Sequence, residues 1–184
     1  MSLRGLQRQI ALLRGINLGS RRRVAMGDLR ELLTGLGYND VRTLLQSGNV
    51  VLSSPESAAE AQAHIERALA TRFGFDIAVV VRTAAQLRKV VEADPLGKAK
   101  ADPKKHHVAF LSGPPEAAAL APARAGDFGD ERFAVEGKHL YLWLEHGMQG
   151  SKLIKALGEK QLGVTATLRN WNTVTKLDEV ASGT

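Results

Sequence analysis

The order of secondary structure repeats once along the chain, and this repeat is the strongest constraint on the fold. The segment IALLRG at residues 10–15 matches VAFLSG at 108–113, and VVRTAAQLRKV at 80–90 matches TLRNWNTVTKL at 167–177. Between them, the turn-bearing segments SGNVVL and EGKHLYL match in the same order. A chain that doubles both its elements and its residues in this way is expected to build two similar structural units.

Each half predicts the order β-α-β-β-α-β, followed by one more helix. Short apolar runs mark the strands, and apolar residues at helical spacing mark the helices. In the first half Ser54-Pro55 is expected to open the second helix, and Thr83 with Gln86 to form a capping box for the extra helix. The order is the split βαβ of ferredoxin-like folds. We therefore predict an α+β fold of two ferredoxin-like subdomains in tandem, with antiparallel sheets, each followed by an extra helix.

Length and composition set the predicted domain organisation and exclude several classes of site. The first subdomain with its helix is predicted to span residues 1–94 and the second residues 106–184, with residues 95–105 as a linker. The chain has no cysteine, which excludes disulfides, thiolate zinc sites and cysteine nucleophiles. No apolar run is long enough to span a bilayer and no signal-like start is present, so a cytoplasmic location without a membrane partner is expected.

Positive charge is concentrated in two connections of the chain. The formal net charge is +6, and no acidic residue precedes Asp28, whereas four arginines fall within residues 14–23. Lysines cluster again in residues 98–105. Basic loops of this kind can simply keep a protein soluble. The alternative interpretation is an anion-binding surface for phosphates or nucleic acid.

Three motifs resemble a known family. They are ALLRGINLG at residues 11–19, QSGNVVLSS at 46–54 and GSKLIKALGEKQLGVTATLRNWNTVTKL at 150–177. In this order they are similar to the bacterial family of unknown function called DUF1697. The resemblance covers nearly the whole chain, and residues 94–135 match least. It implies a small soluble bacterial protein of two ferredoxin-like α/β subdomains, and it brings no established activity, cofactor or substrate.

The predicted topology brings polar residues of the first half to one edge of its sheet. The end of the first strand and the hairpin between the second and third strands share this edge. The first helix also begins there, with its free amides and the positive end of its dipole. We predict an anion-binding cluster at this edge, formed by six residues: Arg14, Asn17, Arg23, Gln46, Ser47 and Asn49. The alternative is that these residues only shape the loop and the turn.

In the second half, polar residues gather at the start of one helix and at the end of the last strand. We predict a second anion-binding cluster from four of them: Ser151, Lys152, Arg169 and Asn172. The run Gly150-Ser151-Lys152 lacks the spacing of a Walker motif, which excludes a nucleoside triphosphatase of that class. Asn170 is expected to cap the last helix, and Trp171 to pack in the core rather than to stack on a ligand.

Two classes of function stay open. The first is a binding protein without enzymatic activity for a phosphorylated metabolite, a nucleotide or a nucleic acid, held at helix starts and basic loops. The second is a small transferase or hydrolase acting on a phosphorylated metabolite, with Arg14, Lys152 or Arg169 as electrostatic stabilisers. Against the second class, only His146 lies near a candidate cluster as a general base. Catalytic residues and the oligomeric state are left open.

No metal and no cofactor are expected. The histidines are scattered, and the neighbouring His106 and His107 would point to opposite faces of a strand, which is poor geometry for a metal site. Tyr141 and Trp143 alternate along a predicted strand, where burial is favoured over base stacking. The expected partners are therefore a phosphate-bearing small molecule or a nucleic acid.

Overall fold

The computed structural model describes residues 5–97 and 101–183, so Lys98 and Lys100 of the second basic connection lie outside the described residues. The elements of the first half are β1 Gln7–Leu13, α1 Met26–Gly35, β2 Asn39–Leu44, β3 Asn49–Ser54, α2 Ala58–Phe73, β4 Val79–Thr83 and α3 Ala84–Ala93. Those of the second half are β5 His106–Leu111, α4 Ala117–Ala125, β6 Arg132–Glu136, β7 His139–Trp143, α5 Lys152–Ala156, α6 Glu159–Leu162, β8 Ala166–Asn170 and α7 Trp171–Ser182. In this described part of the chain, no helix combines the length and apolar character that crossing a membrane requires.

The strands form two four-stranded antiparallel sheets. The first sheet has the order β2-β3-β1-β4 and the second the order β6-β7-β5-β8. In both, the first strand of the half lies inside the sheet, hydrogen-bonded to the third strand on one side and to the fourth on the other. This is the strand order of a ferredoxin-like fold. The prediction of two such α+β subdomains, each followed by an extra helix, is confirmed.

One face of each sheet packs against helices. In the first half, Ala11 and Leu13 of β1 belong to a core that also contains Leu29 of α1 and Ile65 of α2, all of them buried. The second sheet builds a matching core from alternate strand residues and the helices beside them: Ala109, Leu111, Leu120, Leu140, Leu142 and Leu153. Burying one such large aliphatic side chain stabilises the fold by about 1.5–3 kcal/mol. Alternate residues of the inner strands face these helices, and the residues between them are also buried.

Several helix starts lie where the sequence predicts them. Thr83 and Gln86 exchange two hydrogen bonds of 3.0 and 3.1 Å, which form the predicted capping box of α3. Ser151 and Asn170 each accept a hydrogen bond from the backbone N–H three residues later, at 3.1 and 2.9 Å. These bonds satisfy amides that would otherwise lack an intrahelical partner. The capping role predicted for Asn170 is confirmed.

The predicted start of α2 at Ser54-Pro55 is wrong by three residues. The N-cap is Ser57, and a reciprocal capping box joins it to Glu60. The Ser54 hydroxyl instead accepts a hydrogen bond of 3.0 Å from the backbone N–H of Glu56. Ser54 therefore closes a turn before the helix, and this turn sets the position of Glu56.

The chain divides into two compact units. The first contains the described residues up to Lys89 together with those from Lys176 onward, and the second those from Val90 to Thr175. Both divisions fall inside helices, namely α3 and α7. The domain boundaries predicted from the sequence, at residues 94 and 106, stay a prediction.

Trp171 is buried at the start of α7, as the sequence predicts. Only 4% of the residue is exposed, and its ring stacks on that of His106, with the ring centroids 4.2 Å apart and the planes 13° from parallel. His106 has no exposed surface, and a carboxylate oxygen of Asp94 lies 3.9 Å from its Nε2. Burial lowers the pKa of His106 more than the Asp94 charge raises it. Burial also lowers the pKa of the adjacent His107.

Replacing Trp171 with alanine should destabilise the protein before it affects any ligand. Truncation of a buried tryptophan leaves a cavity and is expected to reduce the free energy of unfolding by about 3–5 kcal/mol. Urea denaturation followed by circular dichroism measures this change. Asn172→Ala, at the exposed next position, serves as the matched control and should unfold close to the parent. A Trp171→Ala protein that unfolds like its parent would contradict the packing role.

The buried histidines should make stability depend on pH in the acidic range. Because their pKa values are lowered in the folded state, the unfolded chain takes up protons first once the pH falls below about 6.5, the ordinary histidine pKa. Stability is then full above that pH and declines below it, by at most about 1.4 kcal/mol per pH unit for each histidine. His106→Phe keeps an aromatic ring against Trp171 and should flatten the decline. An unchanged slope of unfolding free energy against pH would contradict the assignment to His106.

Candidate functional site

Asn17 fixes the basic loop, residues 14–24, against the hairpin loop, residues 45–48. Its side-chain amide donates to the backbone carbonyls of Val24 at 2.9 Å and Gln46 at 2.7 Å. Its Oδ1 accepts a hydrogen bond of 2.9 Å from the backbone N–H of Val24. The two loops follow β1 and β2 and meet at one sheet edge, where the sequence places them. Of the first predicted cluster, the structure thus joins Asn17 directly to the backbone of Gln46.

The Arg22 side chain joins the start of the basic loop to the segment before β4. Its Nε donates to the carbonyl of Gly15 at 2.9 Å, and its Nη2 donates to the carbonyl of Asp76 at 2.7 Å. The guanidinium carbon also lies 5.0 Å from the centre of the Phe75 ring, within the range of a cation–π contact. These contacts hold the base of the loop.

Besides Arg22, three further exposed arginines of the basic loop precede the start of α1. Arg14, Arg21 and Arg23 are all exposed, and Arg23 also donates to the carbonyl of residue 19 at 3.2 Å. The N-cap of α1 is Ala25, which supplies no side-chain hydrogen bond. Ala25 therefore satisfies none of the first-turn amides, and the positive end of the helix dipole adds to the field of the arginines. This combination of donors and charge favours an anion.

Ser47 and Asn49 shape the hairpin loop. Asn49 has no exposed surface, and its amide donates to the carbonyl of Leu44 at 2.8 Å and to the Ser47 hydroxyl at 2.9 Å. Gly48 adopts a φ of 83°, and a Cβ there would lie 2.8 Å from the Cβ of Leu13. Asn49 therefore acts on a ligand only through the loop that it shapes, whereas Gln46 is exposed.

Backbone strain is concentrated in the basic and hairpin loops. Asn17, Arg22 and Leu45 have φ values of 55°, 53° and 59°. Asparagine tolerates this region, whereas arginine and leucine seldom adopt it. Leu45 is a bulky residue in this conformation, yet 64% of it is exposed. Packing of the Leu45 side chain does not compensate for the strain, so the backbone of the loop must be held by its neighbours.

Ser151 and Lys152 of the second predicted cluster lie beside a cavity rich in carboxylates. The Ser151 hydroxyl donates to Glu131 at 2.8 Å, in addition to capping α5. Lys152 is exposed and lines the same cavity, which has a volume of about 460 Å³. The acidic side chains in its lining outnumber Lys152: they are Asp127, Asp130, Glu131 and Glu145. The local field is therefore less favourable to an anion than the field of the basic loop.

Arg169 and Asn172 do not belong to the lining of that cavity. Arg169 is 8% exposed, and its Nη1 donates to the Thr167 hydroxyl at 2.7 Å and to the carbonyl of residue 168 at 3.0 Å. Burial lowers its pKa to about 10, and it does the same to Arg82, the matching residue of the first half. Arg169 thus has a buried counterpart at the same position of the first half. The role of Arg169 in ligand binding stays a prediction. Asn172 is exposed on α7.

A hydrogen-bonded cluster that the sequence analysis missed lies at the other edge of the first sheet. The Tyr38 hydroxyl donates to Glu56 Oε2 at 2.6 Å, and His64 Nδ1 lies 3.2 Å from Glu56 Oε1 and 3.3 Å from the tyrosine oxygen. Burial, together with the bond to Glu56, raises the pKa of Tyr38, so the hydroxyl stays protonated. Glu56 and His64 line an open cleft of about 710 Å³ that Arg67 also lines.

The sequence signal for this cluster is weak. Tyr38 follows α1, Glu56 precedes α2, and His64 lies two turns inside that helix, so no fixed spacing connects them. The one available sign is that His64 adjoins Ile65 on the apolar stripe of α2, where a histidine borders both core and solvent.

Replacing Asn17 with aspartate should loosen the join between the two loops. A carboxylate can still accept from the Val24 N–H, but it cannot donate to the carbonyls of Val24 and Gln46. We expect the free energy of unfolding to fall by about 1–3 kcal/mol, measured by urea denaturation. Asn172→Asp makes the same chemical change at an exposed position and should cost less than about 0.5 kcal/mol. Equal effects of the two substitutions would contradict the role of Asn17.

Comparison with known proteins places the chain in a family. The structure is similar to a solved structure described as the conserved bacterial protein SP0830 from Streptococcus pneumoniae, with a TM-score of 0.78 and 22% sequence identity over 96% of this chain and 99% of that one. At this identity the likeness supports the fold alone. A search of curated proteins found no match. The sequence pattern of the family described as "Protein of unknown function (DUF1697)" matches residues 6–141, and the chain belongs to this family.

Proposed function

We propose that the chain is a binding protein for a phosphate-bearing ligand, which it holds at the basic loop. The observation that supports this most directly is the set of three hydrogen bonds through which Asn17 fixes the loop. The loop so fixed presents Arg14, Arg21 and Arg23. A loop that is ordered before binding loses less conformational entropy when the ligand arrives, which raises affinity.

The chemistry of the loop fits phosphate. Each guanidinium offers a planar fork of N–H donors that can bond two phosphate oxygens at once. The first-turn amides of α1 supply further donors of the right polarity, because Ala25 does not cap them. A net charge of +6 also attracts anions over distances longer than a hydrogen bond.

The composition of the loop favours binding over catalysis. Residues 14–24 contain no histidine and no carboxylate, so the loop itself supplies no general base. Electrostatic stabilisation by arginine without such a base holds an anion but does not activate a nucleophile.

The ligand is a molecule whose phosphate stays accessible, because the arginines are exposed rather than enclosed. A nucleotide, a sugar phosphate and a nucleic acid strand all offer this group. Salt dependence distinguishes them, since neutralising several backbone phosphates releases several counterions and makes affinity fall steeply with salt. A ligand with one phosphate group shows a shallower dependence.

Arg23→Gln and Arg14→Gln should weaken ligand binding while the fold is retained. A charge-assisted hydrogen bond from arginine contributes about 1.5–3 kcal/mol, so each substitution should reduce affinity roughly ten- to hundred-fold. The measurement is a calorimetric or fluorescence titration against nucleotides, sugar phosphates and short RNA at two salt concentrations.

The matched control is Arg124→Gln, which removes the same charge from an exposed position in the last turn of α4. It should bind like the parent at the higher salt concentration. The proposal fails if no ligand of the panel binds below the millimolar range, or if the loop variants bind no more weakly than Arg124→Gln.

A further inference from the structure

Every polar group of Glu56 is engaged. Its N–H donates to the Ser54 hydroxyl at 3.0 Å, and its backbone carbonyl accepts from Gln9 Nε2 at 2.6 Å. One carboxylate oxygen accepts from Tyr38, and the other lies 3.2 Å from His64 Nδ1. A carboxylate that is held through its backbone and through both oxygens has a fixed position and orientation, although 33% of the side chain is exposed.

The residue that holds the Glu56 backbone, Gln9, has a buried side-chain oxygen without a hydrogen bond in the described part of the chain. Gln9 is fully buried in β1, and within the described part of the chain its Oε1 is buried without a hydrogen-bond partner. The reverse orientation of the amide would bring Oε1 against the carbonyl of Glu56, so the bond from Nε2 fixes the assignment. A buried amide oxygen left unsatisfied destabilises a protein and calls for an explanation. The position that Gln9 gives to Glu56 supplies one.

The hydrogen-bond pattern determines which nitrogen of His64 carries the proton in the neutral ring. The Tyr38 proton is committed to Glu56 Oε2 at 2.6 Å. Nδ1 of His64 faces the other carboxylate oxygen, and a lone pair on Nδ1 would be repelled by that anion. Nδ1 therefore bears the hydrogen and donates it to Glu56. The lone pair is therefore on Nε2, and the carboxylate bonded to the other side of the ring fixes this tautomer and the orientation of the ring.

The surroundings of His64 form an accessible site. The cleft of about 710 Å³ is lined by Pro55, Glu56, Glu60, Ala63, His64 and Arg67, and 35% of the His64 side chain is exposed. Arg67 follows His64 by three residues on α2, so the two side chains lie on the same face of the helix. Two carboxylates also line the cleft, but each is engaged in hydrogen bonds, Glu56 with the Tyr38 hydroxyl and Glu60 with the backbone N–H of Ser57. The cleft thus combines an oriented imidazole with a guanidinium that can hold an anionic group.

We propose that this cleft is an acid–base site for a small substrate that carries an oxyanion group. Arg67 binds the oxyanion, and His64 Nε2 accepts the proton of a bound hydroxyl or water. In that step the O–H bond breaks, the N–H bond forms, and the electron pair stays on the oxygen, which becomes the nucleophile. The deprotonated oxygen bonds to the electrophilic phosphorus or carbon of the substrate, and the bond from that atom to its leaving oxygen breaks. The imidazolium, which the Glu56 carboxylate stabilises, then gives its proton to the leaving oxygen. Glu56 and Tyr38 are positioning residues, and His64 is the catalytic residue.

This site is separate from the basic loop. Gln9 and Glu56 lie at the amino end of β1, whereas the basic loop follows its carboxyl end. The alternative is a purely structural role, in which the Tyr38–Glu56 hydrogen bond joins the chain before β2 to the chain before α2. Such a role requires neither a lone pair on Nε2 nor an oxyanion beside Arg67, so the two roles give different experimental results.

The first test is the tautomer of His64 in the unmodified protein. Nitrogen-15 NMR of the full chain at alkaline pH distinguishes a protonated from an unprotonated ring nitrogen. We expect Nδ1–H with an unprotonated Nε2 at His64. The opposite tautomer, with the hydrogen on Nε2, overturns the proposal without any variant having to fold.

The second test is the reactivity of Nε2 toward diethyl pyrocarbonate, read by peptide mass spectrometry. His146 is exposed and serves as the internal reference. Relative to His146, Glu56→Gln should slow acylation of His64 about tenfold, because the ring loses its carboxylate partner. Glu31→Gln, an exposed carboxylate of α1 that does not line the cleft, is the matched control and should leave the ratio unchanged. An equal ratio in the two variants overturns the acid–base role.

The third test addresses the oxyanion. Inorganic phosphate and acetate are each titrated while acylation of His64 and His146 is followed. Protection of His64 alone, lost in Arg67→Gln and kept in Arg72→Gln, supports the proposal, and the better protector identifies a phosphate or a carboxylate substrate. Failure of both anions to protect His64 overturns it. Neither result bears on binding at the basic loop, which Arg14 and Arg23 variants test separately.

Discussion

β1 is the element on which both candidate sites depend. It is hydrogen-bonded along both edges, so that Leu12 lies opposite Asn49 of β3 and Val80 of β4. A strand paired on both sides cannot slip by one residue without breaking two hydrogen-bonded ladders. Its two ends are therefore fixed points. At the carboxyl end the chain enters the basic loop, and at the amino end Gln9 holds Glu56 beside the cleft.

The features that could be predicted from the sequence are local ones. Apolar patterns within each half predicted the order of helices and strands, and this order indicated the ferredoxin-like fold. The caps at Thr83 and Asn170 were predicted from the residue types at the helix starts. The start of α2 was misplaced because two serines compete there. The helix begins after Ser57 because the reciprocal hydrogen bonds between Ser57 and Glu60 satisfy the backbone N–H groups of both residues. The Tyr38–Glu56–His64 cluster joins residues up to 26 positions apart from three segments, and no spacing rule reports such a contact.

The two halves share the same strand order but differ in the charged side chains near the ends of their strands. Arg82 and Arg169 occupy matching places and respond alike, since burial lowers the pKa of both to about 10. The charge at the edges differs. The first half has exposed arginines before α1, whereas the cavity beside Ser151 is lined mainly by carboxylates. The second anion cluster was predicted from polar residues at a helix start and a strand end, and the charge around Ser151 does not favour it, because function depends on the site rather than on the fold.

Strain gives an independent reason to look for function at the two ends of β1. Arg22 and Leu45, with positive φ, lie in the two loops at its carboxyl end, and each costs about 1–3 kcal/mol. At its amino end the unpartnered Oε1 of Gln9 costs a similar amount, about 1–3 kcal/mol. Against a total stability of about 5–15 kcal/mol for a typical domain, these are substantial losses. Loops that served only to connect strands and helices could avoid the backbone strain with glycine at those positions. The first unit instead keeps a strained loop with exposed arginines at one end and a rigid carboxylate–imidazole pair at the other, which is the physical ground for placing a site at each.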